Sequence, residues 1–135
     1  MLLNTALSNI NLVAVLIAGF AHMTISLIWF RPELFGKQWM ELTKQDMKPA
    51  RQWIPAGIIG HVVIALALAV IVYLANATTM VEGIVVGILI WIGFVVTLET
   101  GELIWEKIPF KLFMIRIGNH LVALSVAGAI LAVWR

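Results

Sequence analysis

The stretch IPAGIIGHVVIALALAVIVYLA, residues 54–75, decides the fold. It carries one histidine and no Asp, Glu, Lys or Arg, and as a helix it is long enough to cross a hydrocarbon core about 30 Å thick. Lipid offers the backbone no hydrogen-bond partner, so such a stretch satisfies its amides internally as a helix unless it closes a barrel. Further charge-free stretches surround it, together covering residues 1–30, 52–81, 83–98 and 117–134. The chain as a whole is 62% apolar and 12% charged, against about 45–50% and about 25% in soluble domains. The expectation is an all-α protein with a single transmembrane domain over residues 1–135: an integral membrane bundle of four antiparallel helices at about 9–30, 54–75, 80–104 and 111–134.

The charges fall between these spans. Arg31, Lys37, Lys44, Lys48 and Arg51 occupy the first connection, Lys107, Lys111 and Arg116 surround the third, and the second, Asn76 to Thr79, has none. The positive-inside bias then puts the first and third connections in the cytoplasm and both termini outside, with Arg135 the one dissenting charge. Nothing basic precedes the first helix, so it is expected to be retained rather than cleaved as a signal peptide. Thr79 and Glu82 have capping-box spacing and mark a helix start. Within the first connection Phe35, Trp39 and Leu42 recur at helical spacing between Pro32 and Pro49, which predicts a short interfacial helix at about 34–47. Cysteine is absent, excluding disulfides and thiolate sites, and the net charge of +2 is accounted for by topology, so nucleic acid is not an expected partner.

The run Leu27-Ile28-Trp29-Phe30-Arg31-Pro32-Glu33-Leu34-Phe35-Gly36-Lys37-Gln38-Trp39-Met40 resembles the "LWYSPLLFGKxWM" signature of a bacterial membrane family, domain of unknown function 1761. Lys111-Leu112-Phe113, Gly118-Asn119-His120-Leu121-Val122 and Gly128-Ala129-Ile130-Leu131-Ala132-Val133-Trp134-Arg135 resemble that family's closing segment. Phe30-Arg31 stands where the pattern usually has Tyr-Ser. The resemblance implies a small multi-helix membrane protein and brings no activity with it.

Ionisable groups inside a bilayer are costly, so each needs an explanation. Counted at 1.5 Å per residue, His22, His61 and His120 lie roughly 12, 10 and 13 Å in from the cytoplasmic boundary, in one layer. Their helix faces carry small neighbours: Ala18, Gly19 and Ser26 beside His22, Gly57, Ala65 and Ala69 beside His61, and Ala123 and Ala127 beside His120. Small residues allow close helix approach, so these faces should point into the bundle. Glu99, Glu102 and Glu106 form a stripe on the third helix, and a hairpin turning near Pro109 sets Glu102 against Arg116 and Glu99 against His120. For Glu102, Glu106 and Arg116 an ion-pair seam explains the charges as well as any function does.

His22, His61, His120 and Glu99 suit a proton relay or a cation site, making a binding or transport module the leading expectation. A non-catalytic scaffold or a subunit binding partner helices or lipid is the alternative, with Ala14/Ala18, Gly83/Gly87 and Gly128/Ala132 as packing surfaces. A third reading is a zinc or haem site held by the histidines. No HExxH, CxxC or ExxH motif specifies one, and no nucleophile triad or phosphate loop occurs, which leaves enzyme the weakest class. Four spans are few for a permeation path, so the expected partners are the lipid bilayer and a second copy in a homodimer.

Overall fold

The computed structural model describes residues 1–134, and every element among them is helical. They are α1 (Leu2–Asn9), α2 (Leu12–Trp29), α3 (Lys37–Thr43), α4 (Ile54–Leu74), α5 (Met80–Ile90), α6 (Thr97–Gly101) and α7 (Phe110–Val133). π-helical turns at Trp91–Val96 and Glu102–Glu106 flank α6, so that α5, α6 and these turns run as one long third span, Met80–Glu106. With Leu12–Trp29, Arg51–Leu74 and Phe110–Val133 this makes four helices long and apolar enough to cross a membrane, the pattern of a multi-pass membrane protein. Large apolar side chains including Phe20, Leu27, Ile59, Leu89, Phe94 and Leu98 face outward. A water-soluble domain does not expose apolar surface on this scale, whereas lipid matches it.

The first span begins at Leu12 rather than near residue 9. Ile10 is extended, and the Asn11 side chain accepts from the Val13 and Ala14 amides at 3.0 and 3.2 Å, capping α2 and separating it from α1. Helix α1 packs on α4 and buries Ala6 completely. After α2 the chain reverses through a π-helical turn, Pro32–Gly36, into α3. The helix of this connection stops at Thr43, short of 47, because Lys44 adopts the left-handed conformation. Gly36 is required in the reversal: a Cβ there would overlap the Phe30 carbonyl and come within 2.9 Å of the Arg31 backbone.

α7 is the hub, packing against α5, α2 and α4. Half of its most apolar window is buried, against 17–28% for the other three spans, and its mean hydropathy is the lowest of the four at 1.5. The two facts belong together, since a helix surrounded by helices can carry polar groups that a lipid-facing one cannot. Close approach comes from missing side chains. A Cβ on Gly83 would overlap the Gly128 carbonyl, one on Gly87 would sit 2.8 Å from the Leu124 carbonyl carbon, and one on Gly19 would lie 3.3 Å from the His61 carbonyl oxygen. Ala14, Ala18 and Ala132 are likewise buried within the bundle. The paired small residues expected to serve a partner helix are therefore already used to pack this chain on itself.

The core towards the Asn76–Thr79 end is apolar, built from Ala14, Val15, Ala65, Leu68, Leu124 and Leu131 among others. At that end Glu82 accepts from the Thr78 and Thr79 amides at 2.7 and 2.9 Å while the Thr79 hydroxyl accepts from the Glu82 amide, a complete capping box.

Candidate functional site

Polar groups gather in the half of the bundle nearer the first connection. α2 supplies His22 and Ser26, α4 supplies His61, α7 supplies Arg116, Asn119 and His120, and the third span supplies Glu99 and Glu102. The close approach of α2 to α4 at Gly19 brings His22 and His61 together, with their Nδ1 atoms 2.8 Å apart and ring centroids at 5.0 Å. At that separation one Nδ1 donates a proton and the other accepts it. The His120 ring lies 6.2 Å from that of His22. His22, 1% exposed, is the centre of the trio, and its Nε2 is buried without a hydrogen-bond partner.

Two clefts flank the rings. One, of about 400 Å³, is lined by His61, Ser26, Met23 and Arg31. The other, of about 360 Å³, is lined by His120, Asn119, Arg116 and Glu99. Phe30 and Met47 border both, and Trp39 joins them at the second. Asn119 is 4% exposed; its amide Nδ2 donates to the Ser26 hydroxyl at 3.1 Å, and its Oδ1 is buried without a donor.

Arg116 forms its ion pair with Glu102, as the hairpin register implies. Glu99 departs from that register: it faces Arg116 at 3.5 Å instead of bonding His120, although both line the same cleft. Glu99 and Glu102 lie three residues apart on one helix face, so the single Arg116 guanidinium sits within reach of both. The hydroxyls of Thr97 and Thr100 accept no part in the site; they donate to the Gly93 and Val96 carbonyls at 2.8 and 2.7 Å and so help satisfy the disturbed backbone. At 3.5 Å the Glu99 contact is electrostatic, and Glu99 Oε2 stays buried without a hydrogen bond. Glu106 is exposed and makes no ion pair with Arg116, so the carboxylates of the seam are Glu99 and Glu102 rather than Glu102 and Glu106.

Two tryptophans brace α7 against this layer. Trp29 Nε1 donates to the Ile115 carbonyl at 3.0 Å and its ring stacks on Phe35, while Trp91 Nε1 donates to the Ile117 carbonyl at 2.7 Å. Trp91 is thus a packing residue. Asn119 and the cleft walls Phe30, Trp39 and Met47 escape a search of the sequence restricted to ionisable groups. The signal for Asn119 was its place beside His120 and three residues from Arg116, on the same polar face. Among the described residues no group of three or more His, Asp or Glu is arranged to hold a metal ion.

Fold and site together define a small multi-pass membrane protein built around a buried polar layer. The chain belongs to the family described as protein of unknown function (DUF1761), whose model matches residues 13–132 and so takes in the whole polar layer and the reversal at Pro32–Gly36. No curated protein and no solved structure matches it.

Proposed function

We propose that this protein is a membrane-embedded binding or transport module in which His22, His61, His120 and Glu99 handle protons or a cation. The observation that carries this reading is the position of His22: buried, in contact with His61, which lines one cleft, and beside His120, which lines the other. Imidazole both donates and accepts, so three neighbouring rings are suited to passing a proton from one cleft to the other. The basic residues of the first and third connections support placing the clefts on the cytoplasmic side. Beyond the layer the core is closely packed and apolar, so release to the opposite side requires the bundle to rearrange. The test is proton flux into liposomes under an imposed gradient, with melting temperature in detergent measured on the same samples. We expect His120→Leu and Glu99→Gln to abolish flux while the fold survives. Absence of flux in the wild type, with strong destabilisation by both single substitutions, leaves the layer as an interhelical clamp only.

The scaffold reading and the homodimer draw support from a different feature. Gly57 and Gly60 on α4, and Gly93 and Gly101 on the third span, have no atom near the space a Cβ would fill. Exposed small residues of this kind allow a second helix to approach closely. Cross-linking in native membranes should then give a dimer through α4, and a ladder showing monomer alone removes the proposal.

A further inference from the structure

We propose that the cleft beside His120 binds an organic ammonium ion, a protonated primary amine carried on an apolar body. This deepens the functional reading above and rests on it only in assigning Glu99 to a cation.

Three independent features of the cleft agree. The first is charge: Glu99 on the cleft wall shares a single guanidinium, Arg116, with Glu102 outside the lining, and no lysine lines the cleft, so in formal charge the ion group has an excess of one carboxylate. An anionic ligand would add to that excess, whereas an ammonium ion neutralises it. The second is hydrogen bonding. Asn119 Oδ1 is a buried acceptor without a hydrogen bond, Glu99 Oε2 has only its 3.5 Å contact with Arg116, and Asn119 is 4% exposed. Such orphans are costly in an apolar setting, and a ligand bearing several N–H groups satisfies both where a carboxylate or ether satisfies neither.

The third feature is the apolar lining. Phe30 and Trp39 meet edge to face, with centroids 6.4 Å apart and planes at 74°, and Met47 completes an apolar, polarisable part of the lining of the same cleft as Glu99. Aromatic faces attract cations, tryptophan most strongly. The volume of about 360 Å³ lies at the small end of the range for small-molecule sites, about 300–1,000 Å³. Phe30 follows α2 and Trp39 sits on α3, so the reversal held by Gly36 is what brings the two aromatic rings to the cleft.

The test is equilibrium binding to the purified protein in nanodiscs, read by tryptophan fluorescence and by thermal shift. Three probes of similar shape separate the chemistries: 2-phenylethylamine, 2-phenylethanol and 3-phenylpropionate. The amine should bind at least tenfold more tightly than either other probe. Glu99→Gln should weaken it at least tenfold and Asn119→Leu severalfold. Trp39→Leu, outside the packed core of the bundle, should also weaken it severalfold, and keeps the question open to measurement if a substitution at Glu99 prevents folding. Equal affinity for amine and carboxylate, or amine affinity unaffected by Glu99→Gln and Trp39→Leu in folded protein, overturns the proposal. Since no gradient is involved, failure of proton flux in liposomes leaves this result standing, and failure of binding leaves the relay standing.

Discussion

Substitution of one hydrogen atom by a methyl group at Gly128 should damage this protein more than most changes to its large side chains. The Gly83 and Gly128 backbones touch, so a Cβ on either residue would overlap the other's carbonyl group, and a Cβ on Gly83 would also lie 2.7 Å from the Ala132 methyl. Neither neighbour is a flexible side-chain end that can swing away. Relief requires α5 to move away from α7 along the seam that also includes Gly87 and Leu124. Overpacking of this sort costs about 1–3 kcal/mol, and backbone meeting backbone argues for the upper part of that range. Gly57→Ala and Gly93→Ala provide an internal contrast, because nothing lies within 4 Å of a Cβ at those positions. There the same methyl should be neutral or stabilise by up to about 1 kcal/mol, through reduced backbone freedom. The assay is reversible unfolding in mixed micelles followed by tryptophan fluorescence, with all three variants compared at one detergent composition. Gly128→Ala within about 0.5 kcal/mol of wild type, the range usual for uneventful surface changes, would falsify the close seam and with it the central position of α7.

Cysteines placed singly at Leu3, Gln45, Thr78 and Trp134 should label from outside, inside, outside and outside the cell respectively, and any other pattern reverses or breaks the proposed topology. Arg116→Leu removes the one cation from between Glu99 and Glu102; with these groups partly exposed, the loss should be about 1–3 kcal/mol, below the 3–5 usual for a fully buried pair. Adding Glu102→Leu should recover part of it, and an additive double variant in the same unfolding assay speaks against the ion pair. Gly36→Ala should release the Pro32–Thr43 segment from the bundle, seen as faster proteolysis after Lys37 and Lys44 with the melting temperature little changed; unchanged cleavage counts against the strained reversal.

Much of the architecture could be read from the positions of charges alone. A bilayer of fixed thickness limits each span, so the gaps between charged clusters set four helices, and counting inward from their ends put His22, His61 and His120 at one depth. Small residues on their faces then predicted that the rings would meet inside. The pairing of Glu102 with Arg116 followed from the turn at Pro109. The contact of Glu99 with the same arginine did not, because a residue-by-residue register does not say how far a long guanidinium side chain reaches along the facing helix. Nor did the aromatic wall: Phe30, Trp39 and Met47 reach the cleft only because the chain folds back at Gly36, and a hydropathy pattern carries no information on the direction of a loop. The glycine and alanine pairs were recognisable as packing surfaces, yet the sequence does not say whether the helix packed there belongs to the same molecule.

The central place of α7 bears on how the protein is made. The three other spans leave the ribosome before it, and without it α5 has no surface for Gly83 and Gly87, and His22 has only His61 beside it. Assembly is therefore a late event: the first two spans enter the membrane ahead of the hairpin that completes the bundle. That helix also has to bring Arg116 into the membrane, and the two carboxylates that receive it enter just ahead, on the preceding span. Insertion of the last two spans as a hairpin moves the three charges together, so none of them crosses the hydrocarbon boundary unaccompanied.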